Sequence, residues 1–285
     1  MILGRLRDGR VVAVLLVVAL AVVVLLNQFA PTRSAFSARV TNSTNTAATA
    51  PYFTCTGAVG ADTANALFAY RLTEASGSRT ATDWSGRGSN GTYQGTMTAT
   101  TPSPNACPRD SGSAYALNGS TSYVSTPARS RTRRPSARRS GSARPSRAAC
   151  SSASGSSQTG ASSQHDRKLY LTTTGQLAFG TYTGSATQVL TSPRSYTDGS
   201  WHHVVTTMSP TNGMRLSVDG KLVASNAAFT TAENFTGYFR IGYDVVSGWP
   251  GASSNPYFTG SMRYAAVYST ELTASQIAAH AAAGS

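Results

Sequence analysis

Acidic residues are scarce in this 285-residue sequence, which has 11 Asp and Glu residues in total and 12% charged residues of both signs. The ten acids that follow the first apolar run are scattered, and no two of them lie within eight positions of each other. The three Cys and four His residues show no spacing typical of a zinc site, and the sequence contains no G-x-S-x-G motif. These absences argue against a zinc enzyme and against a serine hydrolase of the nucleophile-elbow type.

Small and polar residues are abundant instead. The sequence has 26 Gly and many Ser, Thr, Ala and Asn residues, and 40% of its residues are hydrophobic. This composition is typical of an all-β protein, because turns between short strands need small polar residues. The length allows one large domain with a sizeable core.

The formal net charge of +13 is unevenly distributed. Eight arginines lie in one stretch without an acidic residue, namely Arg129, Arg131, Arg133, Arg134, Arg138, Arg139, Arg144 and Arg147. Without these eight arginines, the chain has 16 basic and 11 acidic residues, which gives a net charge of +5. Because the remaining chain is only mildly basic, we do not expect nucleic acid as a partner.

The amino terminus has the pattern of an export signal. Residues 11–26 form an unbroken apolar run of sixteen residues, preceded by Arg5, Arg7 and Arg10. A membrane-spanning helix needs about twenty residues, so a cleaved signal peptide and an uncleaved membrane anchor both remain open. We assign residues 1–37 to this signal or anchor and 38–50 to a linker, and we expect the remaining chain outside the cytoplasm.

Short alternating strands separated by turn residues recur along the rest of the chain. Examples are A-L-F-A-Y-R-L-T-E from Ala66, A-Y-A-L-N-G-S-T-S-Y-V from Ala114 and M-R-L-S-V-D-G-K-L-V from Met214. In the last of these, Asp219-Gly220 predicts a type I′ hairpin, since both residues tolerate positive φ. Thr273 and Gln276 form a capping box that predicts a closing helix. The pattern favours a β-sandwich.

Several of these segments, in this order, resemble the laminin-G-like, concanavalin A-like jelly-roll domain. The resemblance rests on the D-W-S-G-R-G turn, the N-G-x-x-x-Y-V strand end, W-H-H-V-V-T-T-M and F-T-G-S-M-R-Y-A-A-V-Y, and it covers about 66–124 and 158–282. It implies an all-β jelly-roll sandwich over 51–285, with a short C-terminal helix and an N-terminal hydrophobic signal or anchor helix.

The resemblance also implies a non-catalytic binding or adhesion module, with a glycan or a cell-envelope component as partner. A purely structural cell-envelope protein is a near variant, and a glycoside hydrolase of the same fold is the competing class. Such hydrolases commonly carry E-x-D-x-x-E on one strand, and this motif is absent. Residues 11–26 would add a membrane contact if the segment is not cleaved.

Aromatic residues in the long segment 244–258 indicate where a glycan would bind. We predict Tyr243, Trp249 and Tyr257 as ligand-binding residues, because loops at a sandwich edge commonly carry binding sites. Packing of these rings on the core is an equally good interpretation. His202 and His203 point to opposite faces of a strand and are expected to pack structurally.

No cofactor is predicted, although calcium was considered. Asp83 and Asp244 could ligate it, but an Asx-type hydrogen bond to its own backbone is the preferred role of Asp83. Similar domains often read G-x-I-D where this chain has Gly260-Ser261-Met262-Arg263, so an arginine replaces the acid. In an oxidising compartment we expect a disulfide between Cys55 and Cys107, with Cys150 left over.

Residues 125–157 interrupt the sandwich pattern. All thirty-three are Ala, Arg, Ser, Thr, Pro, Gly or Cys. We expect no strand here, since these residues offer no apolar face, and we expect a hole in the adjoining sheet. All seven types have codons with C or G at the second base, as an out-of-frame reading of a GC-rich gene would produce. Two hypotheses follow: a compensated double frameshift, or a disordered basic insertion.

Overall fold

The computed structural model describes residues 9–28, 52–131, 136–147 and 150–284. The chain divides into two compact units, Met1–Ala48 and Thr49–Ser285. In the first unit, helix α1 covers Gly9–Gln28, and its described side chains from Val12 to Val24 are exposed. Among the residues described, no helix combines the length and the apolarity that a membrane crossing needs.

The second unit is a sandwich of two antiparallel sheets. In the described ranges, the first sheet has nine strands. Along it lie β14 (Lys221–Asn226), β13 (Gly213–Val218), β12 (His202–Ser209), β7 (Ser136–Arg147), β16 (Thr259–Arg263), β5 (Ala114–Asn118) and β4 (Thr98–Thr100), while β17 (Ala265–Tyr268) pairs with β7 and with β1 (Ala66–Tyr70).

The second sheet has eight strands in the same described ranges. Their order is β11 (Thr187–Ser195), β10 (Gln176–Tyr182), β9 (His165–Leu171), β8 (Cys150–Gly155), β15 (Thr236–Ile241), β6 (Tyr123–Arg131), β3 (Gly91–Gln94) and β2 (Thr80–Ala81). The mostly β architecture and the jelly-roll class agree with the prediction.

The main core lies between the two sheets. It joins side chains of the first sheet such as Leu216 and Val267 to Leu169 and Phe179 of the second. A smaller cluster on the other side of the first sheet includes Val205 and Tyr268 and is covered by α2 (Cys55–Ala61) and α3 (Ala274–Ala283). The helices thus cover one outer face and leave the outer face of the second sheet for loops.

Three local predictions are confirmed. Asp219 and Gly220 have φ of 52° and 79° in the turn between β13 and β14. The Thr273 side chain accepts a hydrogen bond from the Gln276 amide, which completes the capping box of α3. Cys55 and Cys107 form a disulfide with their Cα atoms 5.8 Å apart. The side chain of Cys150 lies outside the described residues.

The prediction for residues 125–157 is wrong in the parts that the structure describes. Strand β6 continues to Arg131, and β7 and β8 follow, with 132–135 and 148–149 outside the described residues. Strand β7 is paired on both sides, with β12 and with β16 and β17. Strand pairing uses backbone N–H and C=O groups, and every residue except proline supplies both. Hydrogen bonds to the neighbouring strands can therefore outweigh the poor strand propensity of the residues in β7.

Candidate binding cleft

A buried ion triad supports the long loop 242–258. Lys168 Nζ lies 3.4 Å and Arg240 Nη1 lies 3.3 Å from the two carboxylate oxygens of Asp244, and all three side chains are fully buried. Lys168 belongs to β9, Arg240 to β15, and Asp244 is the third residue of the loop. Because Lys168 and Arg240 each pair with one oxygen of its carboxylate, Asp244 holds the loop on the sheet, and neither oxygen is available as a calcium ligand.

The loop lies on the outer face of the second sheet. Leu169 and Phe179 point into the main core, so Tyr170 and Gly180 point outward on the same two strands. Tyr170 Oη donates a hydrogen bond of 2.7 Å to the Pro250 carbonyl. The Trp249 ring covers Gly180, where an added Cβ would lie 2.5 Å from a ring atom. Gly180 therefore makes the room in which Trp249 packs.

A cleft of about 180 Å³ opens beside Trp249. Its lining comes from the β8–β9 turn, the facing ends of β10 and β11, the segment before β15 and the loop itself, and consists of Ser163, Gln164, His165, Tyr182, Thr187, Glu233, Ser247, Gly248 and Trp249. The volume lies below the range of about 300–1,000 Å³ for pockets that enclose drug-sized ligands. It therefore fits a small ring or the end of a chain.

Polar groups converge on the aromatic wall of this cleft. Gln164 Nε2 donates a hydrogen bond of 3.1 Å to Glu233 Oε1, which links two loops 69 positions apart in sequence. His165 is 6.2 Å from Trp249 between ring centroids. Burial, followed by the positive charge of Lys168, lowers the pKa of His165 below its ordinary value. The imidazole is therefore neutral at neutral pH.

The three aromatic residues predicted from the sequence do not share one site. Trp249 lines the cleft, whereas Tyr243 and Tyr257 stack on each other with ring centroids 4.4 Å apart. The Tyr123 ring lies 4.9 Å from that of Tyr243, and the Arg240 guanidinium lies 5.5 Å from the Tyr243 centroid. The tyrosine cluster and Trp249 thus flank the ion triad on its Arg240 and Lys168 sides.

Sequence reasoning identified only Trp249 among the residues of the cleft, and it missed the large polar residues Gln164, His165, Tyr182 and Glu233. The run Q-H-D-R-K (Gln164 to Lys168) was the available signal, because it is dense in polar groups within a chain of low charge. Glu233 joins the cleft only through the fold, since it lies 69 positions after its hydrogen-bond partner Gln164.

Two further sites considered for calcium have other occupants. Asp83 accepts backbone N–H groups of Ala69, Ser85 and Ser89 at 2.9–3.0 Å. Burial would raise the pKa of Asp83, but these hydrogen bonds outweigh it and hold the pKa below its ordinary value. The bond from Ser85 is the expected Asx-type turn. Arg263 is fully buried and donates to four carbonyl oxygens between residues 106 and 111, so its own positive charge occupies that position.

A second, larger cleft of about 1050 Å³ lies between α3 and the β13–β14 turn. Its polar lining includes Asp198, Asp219 and His203, with Trp201 as its aromatic residue and alanines of α3 opposite. The two aspartates approach the ring nitrogens of His202 at 3.1 and 2.9 Å. His202 and His203 are both buried, as expected of structural histidines.

His202 should make stability depend on pH. Burial lowers the pKa of His202, but the hydrogen bonds that its ring donates to the carboxylates of Asp219 and Asp198 raise it more, so the pKa lies above its ordinary 6.5. Because protonated His202 is more stable in the folded chain than in the unfolded chain, its contribution to stability is complete below pH 6.5. The contribution is lost as pH rises through the pKa of the folded state. We expect the difference in free energy of unfolding between the wild type and His202→Gln, measured by urea denaturation, to shrink from pH 6 to pH 9.

His165→Gln provides the opposite control. Because the pKa of His165 is lowered, its contribution is present above the ordinary pKa and is lost as pH falls. Parallel pH trends for the two variants would show that the Asp198 and Asp219 contacts do not control His202.

Comparisons with known proteins agree with this fold. A family model described as the concanavalin A-like lectin/glucanases superfamily, of laminin-G type, matches residues 118–278. A search of curated protein sequences finds no match.

Two solved structures of similar fold are binding domains of toxins that are distant from this chain in sequence. The binding domain of Paraclostridial Mosquitocidal Protein 1 is 11% identical, with a TM-score of 0.56 over 76% of this chain and 51% of that chain. The binding domain of botulinum neurotoxin DC in complex with SialylT is 12% identical, with a TM-score of 0.52 over 76% of this chain and 50% of that one. This chain thus spans about half the length of both toxin domains.

A third structure is matched over nearly its whole length. Domain 4 of AbnA, an extracellular arabinanase from Geobacillus stearothermophilus, in complex with arabinotriose, is 17% identical, with a TM-score of 0.51 over 76% of this chain and 98% of that chain. At these identities the likeness shows the fold alone.

Proposed function

The chain belongs to the concanavalin A-like lectin/glucanases superfamily, and on that premise we propose that it is a non-catalytic carbohydrate-binding module that acts outside the cytoplasm. The observation that carries the proposal is the cleft beside Trp249, where two aromatic rings meet polar side chains. Aromatic faces pack on the C–H groups of a sugar while amide, carboxylate and imidazole groups bond its hydroxyls. Two structures of similar fold contain arabinotriose and SialylT, which supports the class of ligand.

Export is part of this proposal. Helix α1 presents exposed apolar side chains, and a disulfide joins Cys55 to Cys107, as is usual for proteins of oxidising compartments. We therefore assign residues 1–37 to a signal peptide or anchor, 38–50 to a linker and 51–285 to the binding module. Residues 11–26 would hold the module at a membrane if they are not removed.

The arrangement of acids favours binding over hydrolysis. A glycosidase needs two carboxyl groups about 5–10 Å apart, and Glu233 is the only carboxylate in the described lining of the cleft. In the larger cleft, Asp198 and Asp219 both face His202. Hydrogen bonds from Ser200 and His202 hold the pKa of Asp198 below its ordinary value, although burial opposes them. A general acid requires a raised pKa instead.

Tyr182 provides the most direct test. It is partly exposed at the end of β10, so its side chain can be shortened at small cost to folding. On a glycan array and in calorimetry with the purified chain, we expect saturable binding without release of reducing sugar. Tyr182→Ala should weaken binding at least about tenfold, whereas Tyr182→Phe, which retains the ring, should stay within about threefold.

Two matched aromatic variants locate the ligand. Tyr257→Ala removes a ring of the tyrosine cluster, and Trp201→Ala removes the aromatic residue of the larger cleft. Loss of binding in either, with Tyr182→Ala unaffected, would move the site away from Trp249. Failure of every glycan to bind a folded wild-type chain would favour a structural envelope role, and turnover of a polysaccharide would favour a hydrolase.

A further inference from the structure

The electrostatic character of the cleft indicates which sugars it accepts. Neither Lys nor Arg belongs to its described lining, and Glu233 is the one acidic residue there. Glu233 is held in place by the Gln164 amide at 3.1 Å. A ligand entering beside Trp249 therefore meets a fixed negative charge and no lining cation.

His165 does not offset that charge. Burial and the neighbouring Lys168 keep its pKa low, so the ring is uncharged at neutral pH. Its Nδ1 is buried and has no hydrogen-bond partner among the described residues. A neutral imidazole can donate a hydrogen bond to a sugar hydroxyl or accept one from it, but it carries no positive charge that would neutralise the Glu233 carboxylate.

The nearby cations are directed elsewhere. Lys168 and Arg240 are fully buried and share the carboxylate of Asp244. Lys168 Nζ lies 5.5 Å from the centroid of the Trp249 ring and donates to the Val245 carbonyl. The Trp249 loop thus covers the cations, and a ligand on the outer side of the ring cannot form a direct ion pair with them.

We propose that the cleft selects uncharged sugars, whose hydroxyl groups donate to Glu233 and bond Gln164, and that the Glu233 carboxylate rejects sugars bearing a carboxylate. The proposal rests on the carbohydrate-binding function proposed above. It makes Glu233 a specificity-determining residue. A sugar carboxylate that lost its water next to Glu233 would have no positive partner in the described lining and would be repelled by the Glu233 carboxylate. Such unpaired, repelling charges are a usual physical basis for discriminating against a ligand.

The test compares paired ligands on the full chain. The probes are the neutral oligosaccharide that binds most tightly on the array and the same oligosaccharide with its terminal sugar oxidised to a uronic acid or capped with sialic acid. We expect the wild type to prefer the neutral member at least about tenfold at low salt. Glu233→Gln, which keeps the shape and removes the charge, should reduce that preference to less than about threefold.

Salt and a matched variant separate charge from shape. The preference of the wild type should fall as ionic strength rises, since screening weakens a charge effect and leaves a steric one unchanged. Glu271→Gln is the control, because Glu271 bonds Thr207 and Asn212 away from the lining of this cleft. It should leave the preference unaltered.

The outcomes distinguish this inference from the proposed function. Equal binding of both ligands, or a Glu233→Gln variant with the wild-type preference, would overturn the inference while binding itself stands. Absence of binding to any sugar would overturn the proposed function as well. A preference that persists unchanged in high salt would assign the selection to shape and contradict the role of Glu233.

Discussion

Replacing Asp244 by Ala should lower the free energy of unfolding by about 3–5 kcal/mol, because it leaves Lys168 and Arg240 buried without a counter-charge. Asp244→Asn should recover only part of this loss, since an amide keeps the hydrogen bonds but not the charge. Urea denaturation followed by tryptophan fluorescence measures the change. Sugar binding should be lost with it, because Asp244 anchors the loop that carries Trp249.

Asp198→Ala is the matched control. Asp198 also approaches two basic side chains, Arg194 and His202, but its own side chain is 44% exposed. An exposed pair contributes about 0–1 kcal/mol, so this variant should unfold at nearly the wild-type urea concentration at pH 8. A loss of less than 1 kcal/mol for Asp244→Ala would mean that water reaches the triad and that the loop is held by its backbone contacts.

Local sequence patterns predicted the parts of this fold that depend on neighbouring residues. The Asp219-Gly220 turn follows from the tolerance of both residues for positive φ, and the α3 cap follows from Thr273 and Gln276. The fold class followed from the order of several such segments. The Cys55–Cys107 pairing needed the resemblance and the expectation of an oxidising compartment.

The cleft could not be predicted in this way. Glu233 and Gln164 are 69 positions apart and meet only because β15 lies beside β8 at the centre of the second sheet. Trp249 was predicted as a ligand-binding residue, with packing on the core as an equal alternative, but how it packs depends on the missing side chain of Gly180 on another strand. The sequence around Asp244 allowed a role as a calcium ligand. It could not reveal that Lys168 of β9 and Arg240 of β15 pair with this carboxylate, because both lie on other strands.

Propensity failed most clearly at strand β7. We expected no strand because the segment lacks apolar residues, whereas the structure places β7 between β12 and the pair β16 and β17. Within this ladder, Arg138 lies opposite Thr206 of β12 and opposite Val267 of β17. The backbone of Arg138 is therefore paired on both sides, in the interior of the first sheet.

Replacing Arg138 by Leu should raise the free energy of unfolding by about 1 kcal/mol, because a central strand that is paired on both sides favours apolar residues over charged ones. Arg79→Leu is the control; Arg79 is exposed before β2, and its replacement should change stability by less than about 0.5 kcal/mol. Equal, small effects in urea denaturation would show that the chain accommodates Arg138 without cost.

The same position tests the frameshift hypothesis for residues 125–157. A central strand whose two faces are covered normally carries Val, Ile or Leu, yet β7 contains Pro145 and four of the eight clustered arginines. If the segment is read out of frame, resequencing the gene should reveal compensating single-nucleotide differences, and the restored frame should place an apolar residue at position 138. The chain with the restored segment should then unfold cooperatively and remain soluble, while the chain as written aggregates, because a central strand made of residues with low strand propensity weakens the ladders on both of its sides. A confirmed nucleotide sequence, together with a soluble and cooperatively folding chain as written, would establish β7 as a genuine basic strand and contradict the hypothesis.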